Sequence, residues 1–332
     1  MSPDLSISIV NTNNGAMLRD CLASIFAHPS RYRVEVLVVD NASSDGSAEM
    51  VRALFRQVRL SVNEARLGFA QNNNINLRVS RGRYVMLLNE DTLVRPGSLD
   101  AALEFLDETP ECAGVACRMV NPDGTLQGSS TRRLPTIASE IFGLTGLQSR
   151  FPRSRLFAFH MMGSRDHERP FPVELPLEAG MIVRRSMVEK IGYLDEGYFI
   201  FGEGPEWCHR IKAAGGQLMY LPACEIVHLG GASTGRLPRV AVEEERFRSN
   251  HRYFRRARGP GYAAGYRTAM LTLAVAKLVA HALRYGLGAR GPGGRRRLEL
   301  DWRVMIWALG LGGPSRLRSE ASAASAPATP TV

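Results

Sequence analysis

The first strand-to-helix turn of this chain has no G-x-G-x-x-G, and no G-x-x-x-x-G-K-[ST] occurs anywhere in its 332 residues. Those absences argue against a dinucleotide dehydrogenase and against a P-loop enzyme. Cysteine is scarce: Cys21, Cys112, Cys117, Cys208 and Cys224 form no C-x-x-C pair and no zinc spacing. Neither a disulfide framework nor a structural zinc is expected, and a reducing cytoplasm fits. Cys21 and Cys208 fall on expected helices, where a buried free thiol is ordinary. The opening residues, MSPDLSISIV, have no basic region followed by a long apolar one, so no secretory signal is expected. The sequence also has no internal repeats.

Negative charge is in short supply. Lys and Arg outnumber Asp and Glu to leave a formal net charge of +10, while the hydrophobic fraction of 45% is ordinary for a globular chain. Such an excess points to an anionic partner. Much of it lies late, in Arg246, Arg248, Arg252, Arg255, Arg256 and Arg258, then in Arg290, Arg295, Arg296 and Arg297. These arginines have no interleaved aromatics and no recognisable motif, so nucleic acid is not an expected partner.

What the sequence does have is a set of apolar strands that end abruptly in polar clusters. Ser6–Val10 runs into Asn11-Thr12-Asn13-Asn14-Gly15, Val34–Val39 into Asp40-Asn41-Ala42-Ser43-Ser44-Asp45-Gly46-Ser47, and Tyr84–Leu88 into Asn89-Glu90-Asp91. Between the first two, Leu18, Cys21, Leu22, Ile25 and Phe26 share one helical face. Strand, helix, strand with polar groups at successive strand ends is the pattern of a parallel sheet with a nucleotide-sized crevice. Acidic residues at such an edge can hold a hard divalent cation through oxygen, with phosphate completing the shell. They can equally form a solvated turn before a helix near 97–108.

Taken together, SISIVNTNNGAMLRDCLASI, VEVLVVDNASSDGS, NEARLGFAQNNNINL, GRYVMLLNEDTLVRPGSLDAALEFL, NPDGTLQGSSTRRLPT, EAGMIVRRSMVEKIGYLDEGYFIFGEGPEWCHRIKAAGG and LPACEIVHLGGAST resemble the family 2 glycosyltransferases. Within them the chain resembles the bacterial rhamnosyltransferase-like members with the GT-A fold. The likeness covers about positions 5–235. It implies an α/β fold of the GT-A nucleotide-diphospho-sugar transferase type, with a mostly parallel mixed sheet flanked by helices and a helical C-terminal appendage. The implied reaction is metal-dependent and inverting. It moves a sugar, with rhamnose one option, from a dTDP- or UDP-linked donor to a hydroxyl of a glycan or lipid-linked acceptor.

The resemblance also assigns roles. Asp40 would hydrogen-bond the pyrimidine, with Asn11, Thr12 and Asn13 lining the same pocket; family members often have an aromatic residue where Thr12 stands. Gly68, Phe69 and Asn73 would approach the donor, although Asn73 could instead cap the next helix. Asp45 reads as a turn former. Asp91, with Asn89 and Glu90 beside it, would hold Mg2+ or Mn2+; many members have Asp-x-Asp here, and the rhamnosyltransferase-like ones often have Asn-Pro-Asp. His228 matches a family histidine that adds a ligand or contacts the diphosphate. The usual catalytic motif, Glu-Asp followed by one residue and another acid, is altered to Glu203-Gly204-Pro205-Glu206. Pro205 suits a first helical turn. Glu203 is then the first choice for the catalytic base and Glu206 the second, while both could merely cap the helix and bind Arg210 or another neighbour. The loss of an aspartate at 204 leaves an alternative: a degenerate nucleotide-sugar-binding module without catalysis.

Late in the chain, 262–288 is apolar but interrupted by Arg267, Lys277, His281 and Arg284, which fits an interfacial amphipathic helix better than a spanning one. A second candidate, 298–309, has Trp302 and Trp307 for an interfacial belt. The expected organisation is a transferase domain over 1–240, a basic amphipathic helical region over 241–318, and a disordered tail over 319–332. An anionic membrane surface is an expected partner, placing the protein on the inner face of the cell membrane.

Overall fold

Alternation in two short segments sets the architecture. In Leu5–Asn11 (β1) and Tyr84–Asn89 (β4), Leu5, Ile7, Ile9, Tyr84, Met86 and Leu88 pack into one apolar layer, while Val85 and Leu87 face a second. A strand with both faces buried must lie inside a sheet covered by helices on both sides. The computed structural model describes residues 2–128, 130–230, 238–286, 292–313 and 317. The expected disordered tail, 319–332, lies outside the described residues. Contacts divide the chain into two units, Met1–Gly197 with Gly204–Ser233, and Tyr198–Glu203 with Thr234–Val332.

The remaining strands are Val34–Asp40 (β2), Arg59–Val62 (β3), Thr92–Val94 (β5), Cys112–Val120 (β6), Thr131–Arg132 (β7), Phe171–Val173 (β8), Leu175–Pro176 (β9), Gly180–Arg184 (β10) and Gln217–His228 (β11). In the first unit a nine-stranded sheet has the order β3-β2-β1-β4-β10-β6-β11-β5, with β8 added on β11. β10, β5 and β8 run against the other strands, so the sheet is mixed and mostly parallel, as expected. Two strands, β7 and β9, pair separately.

Helices Gly15–Ala27 (α1), Ser47–Leu54 (α2) and Ser98–Glu108 (α4) supply one apolar layer through Leu18, Leu22, Val51, Leu99 and Leu103. On the other face lie Phe69–Val79 (α3), Arg185–Ile191 (α7) and Glu203–Ala213 (α8), with Leu77, Val188, Trp207 and Ile211. Two short helices, Ile137–Leu144 (α5) and Leu147–Arg150 (α6), complete this unit. Each fully buried Leu or Ile contributes about 1.5–3 kcal/mol.

α3 does something unusual for a core helix, burying Asn72, Asn73, Asn74 and Asn76. Each amide is matched. Asn76 Nδ2 donates to Ser8 Oγ, Ile9 O and Leu37 O at 3.1–3.3 Å. Ser8 Oγ donates to Asn73 Oδ1 at 2.9 Å. Asn74 exchanges bonds with the Leu194 backbone in both directions. Buried amides are tolerated only on such terms, because an unmatched one loses its hydration without return.

The second unit contains Arg239–Arg258 (α9), Pro260–Gly286 (α10) and Pro292–Leu309 (α11). Phe254, Tyr266 and Trp307 form its aromatic centre, with ring centroids 4.8 Å apart for Phe254 and Tyr266. Arg267 Nε reaches the α11 terminus at Ala308 O, 2.8 Å. Trp307 is therefore a core residue rather than part of an interfacial belt, and only Trp302 of the pair is exposed. Among the described residues no helix is long and apolar enough to cross a membrane.

Candidate active site

Strand register brings the polar clusters level. Asn11 stands opposite Asp40, and Val10 opposite Asn89, so three strands end along one edge. Beyond that edge the backbone turns sharply: Asn13 and Ala42 both take φ of +54°. Asn11 Nδ2 donates to Asp40 Oδ2 at 2.9 Å, and Ser43 N donates to Asp40 Oδ1 at 2.9 Å. Asn13 N donates to Ser43 Oγ, and its side-chain oxygen accepts from Ser44 N. Each Asp40 oxygen thus has one protein donor, leaving lone pairs for a ligand N–H. Thr12 Oγ1 accepts from Asn41 Nδ2 at 3.3 Å. Asp45 accepts from Gly15 N at the start of α1 and from Ser47 N, and so acts as the turn former the sequence implies.

Gly68 is the N-cap of α3 and Phe69 its first residue. Asn73 is different: it sits inside α3, donates to Phe69 O and accepts from Ser8. It does not cap the helix, and each end of its buried amide already has one partner within the fold.

The second part of the site is built on β4, β5 and β11. Asn14 Nδ2 donates to Glu90 Oε1 at 2.7 Å, joining the β1 cluster to the acidic one. Asn89 Oδ1 and Nδ2 belong to the strand end, whose N–H meets Ala179 O at 3.5 Å. Asp91 is 3% exposed, and its carbonyl accepts from Leu229 N. β5 pairs antiparallel with the end of β11, with Thr92 opposite His228, and this carries the imidazole back to Asp91. His228 Nε2 lies 3.4 Å from Asp91 Oδ1.

Gln127, to which the sequence drew no attention, orients that ring. Its Nε2 donates to His228 O at 2.7 Å and to Asn121 Oδ1 at 3.0 Å, so its Oε1 faces His228 Nδ1 at 2.9 Å. An amide oxygen only accepts, so Nδ1 carries a hydrogen, and Nε2 is the ring nitrogen turned towards Asp91. A ring nitrogen and a carboxylate oxygen converging in this way are two groups that a cation could take as ligands. The donor set of one imidazole and one carboxylate fits a divalent ion that draws its other ligands from phosphate oxygens and water. Among the described residues no group of three or more His, Cys, Asp or Glu side chains could hold a metal alone.

The altered acidic motif opens α8. Glu203 is its first residue and is buried, and Pro205 falls within the first turn. Glu206 is held by Arg210, whose Nε lies 2.9 and 3.0 Å from its two oxygens, and Arg210 also binds Ile191 O and Tyr193 O. Such a clamp fixes the carboxylate in place. Arg210 is the neighbour the sequence names as a partner for this residue.

A family model described as Glycosyl transferase family 2 matches residues 6–174. Over 254 residues, covering 72% of this chain and 80% of the relative, the sequence is 29% identical to the N-acetylglucosaminyl-diphospho-decaprenol L-rhamnosyltransferase of Mycobacterium tuberculosis. Among solved structures, GalNAc-T7 with UDP, GalNAc and Mn2+ superposes with a TM-score of 0.58 at 15% identity, covering 97% of this chain and 58% of that one. The mannosyltransferase PcManGT from Pyrobaculum calidifontis, in complex with GDP-Man and Mn2+, gives 0.51 at 17% identity, covering 94% and 87%. The fold is of the GT-A glycosyltransferase type.

Proposed function

The chain belongs to glycosyl transferase family 2, among its rhamnosyltransferase-like members, and from that premise we propose a metal-dependent, inverting sugar transfer. The donor is a nucleoside diphosphate sugar, dTDP- or UDP-linked, with rhamnose as the leading sugar, and the acceptor is a hydroxyl of a glycan or lipid-linked glycan. The observation that carries the metal dependence is the convergence of His228 Nε2 on Asp91, with Gln127 orienting the ring. Asp40, Asn11, Thr12 and Asn13 hold the base and ribose, and Gly68 and Phe69 border the donor. Asp91 and His228 hold Mg2+ or Mn2+, with Asn89 and Glu90 shaping the loop. A bound divalent ion would neutralise the charge gathering on the departing diphosphate. The acceptor oxygen bonds to the anomeric carbon as its proton passes to a carboxylate and the bond to the diphosphate breaks. Titration calorimetry of UDP and dTDP, with and without Mn2+, tests the donor half; binding indifferent to metal would refute it.

Gln127 should matter without touching substrate. Gln127→Ala removes the acceptor for Nδ1–H and frees the ring, so Mn2+ affinity measured in the presence of UDP should fall about 10–100-fold. Unchanged affinity would show that the ring is oriented by something else.

The second unit supports a proposal about location. On α10, Val275, Val279 and Leu283 are all exposed at helical spacing, and Arg284 is exposed beside them. Arg296 and Arg297 are exposed on α11. Apolar and cationic groups together suit an anionic membrane surface. The triple change Val275→Asp, Val279→Asp, Leu283→Asp should abolish co-sedimentation with phosphatidylglycerol vesicles, and raised salt should weaken binding of the unaltered protein. Retention of vesicle binding by the triple variant would remove the idea.

A further inference from the structure

Glycine at 204 leaves a space on α8, and that space is filled. A Cβ built on Gly204 would coincide with Glu178 Oε1 and overlap the rest of its carboxyl group. The side chain that position 204 lacks is replaced, in the same place, by a carboxylate arriving from the opposite backbone. No side chain larger than hydrogen could coexist there with Glu178 in its present position.

The place matters because of what adjoins it. Glu178 lies two residues before β10, whose Gly180 pairs with Leu88 at the end of β4. The intervening residue, Ala179, offers its carbonyl to Asn89 N. Glu178 therefore stands at the same sheet edge, just before the strand that lies beside the one delivering Asn89, Glu90 and Asp91. Its surroundings are those of a proton acceptor. Burial raises its proton affinity above the ordinary range for glutamate, with the Arg132 charge opposing in part. Arg132 Nε, for its part, is buried without a hydrogen-bond partner among the described residues. A carboxylate so placed binds a proton more readily than an exposed one. Glu206 differs, being clamped by Arg210.

We infer that Glu178, standing in the space left by Gly204, is the carboxylate that takes the acceptor proton. This rests on the transfer reaction proposed above. As the acceptor oxygen bonds to the anomeric carbon, its proton moves to Glu178. The electron pair of the breaking bond leaves on the nucleoside diphosphate, and no other reactant is needed. A Gly204→Asp change would not restore activity by itself, because the new carboxylate would collide with Glu178 and repel it.

The test compares four proteins with one donor and one acceptor, measuring Mn2+-dependent UDP binding alongside transfer. Glu178→Gln should bind UDP as the unaltered protein does and lose transfer by roughly two to four orders of magnitude, the scale of general-base assistance. Glu203→Gln should transfer within about tenfold of the unaltered protein. The exchange Glu178→Gly with Gly204→Asp, which returns the carboxylate from the α8 side, should transfer at least about tenfold faster than Glu178→Gln. Transfer by Glu178→Gln within about tenfold of the unaltered protein overturns the assignment, as does a collapse of transfer confined to Glu203→Gln. If the unaltered protein binds UDP with Mn2+ yet transfers nothing, the underlying transfer reading fails and the role of Glu178 with it.

Discussion

Asp91→Asn should strip donor binding of its dependence on Mn2+ and cut transfer by about three orders of magnitude. The change preserves size and removes one charge at a site that is 3% exposed. His228 Nε2, 3.4 Å away, would then face an amide in place of an anion. A divalent ion held by one imidazole alone would lose its carboxylate ligand as well as the charge that draws it in. The several kcal/mol that a metal contributes to stabilising a departing diphosphate correspond to the predicted loss in rate. Calorimetry decides the matter before any acceptor is known. A Mn2+-dependent affinity equal to that of the unaltered protein would exclude Asp91 as a ligand.

The second large effect concerns stability. Gly114→Ala should lower the stability of the sheet-bearing unit by about 3 kcal/mol, at the high end of overpacking costs. Gly114 lies in β6, between β10 and β11, and a Cβ there would run into Ile182 O with Val183 Cα and Leu218 Cδ2 3.1 Å away. Two of these three atoms are backbone in a central strand and cannot swing aside. At 2–4 °C per kcal/mol for a unit of this size, the melting temperature should drop by about 6–12 °C. Gly163→Ala, where a Cβ meets nothing within 4 Å, is the control and should change stability by no more than about 0.5 kcal/mol. A Gly114→Ala protein melting alongside the control would show that the strands can separate at little cost.

Much of the fold is legible in the chain because it is written in adjacent residues. Apolar strands ending in Asn11, Asp40 and Asn89 announce a parallel sheet with a polar edge, and the expected helix near 97–108 is α4, Ser98–Glu108. What is not legible depends on residues far apart in sequence. Gln127 meets His228 across 101 positions, and nothing about a glutamine after a turn marks it as the partner of a histidine. Glu178 reads as one more acid near a strand until the backbone of Gly204 is placed against it. Asn73 also has a partner that the sequence does not show: tertiary packing brings its side chain to Ser8, 65 positions away. Trp307 misleads, since an amphipathic pattern does not say whether its apolar face meets lipid or protein.

The buried asparagines of α3 have a consequence for how the proposed donor pocket holds its shape. An apolar helix face can slip by a turn against a sheet and still find greasy company. Asn76 cannot: moved by one turn, about 5.4 Å, it would lose Ser8, Ile9 and Leu37 together and strand polar atoms in a dry interior. α3 is keyed to β1 and β2 as a toothed part is to its rack, and slippage is disfavoured more strongly than looseness. The N-terminus of that helix, with Gly68 and Phe69, therefore keeps its spacing from Asp40 by interlocking, and a pocket set in this way does not widen when the surrounding packing softens.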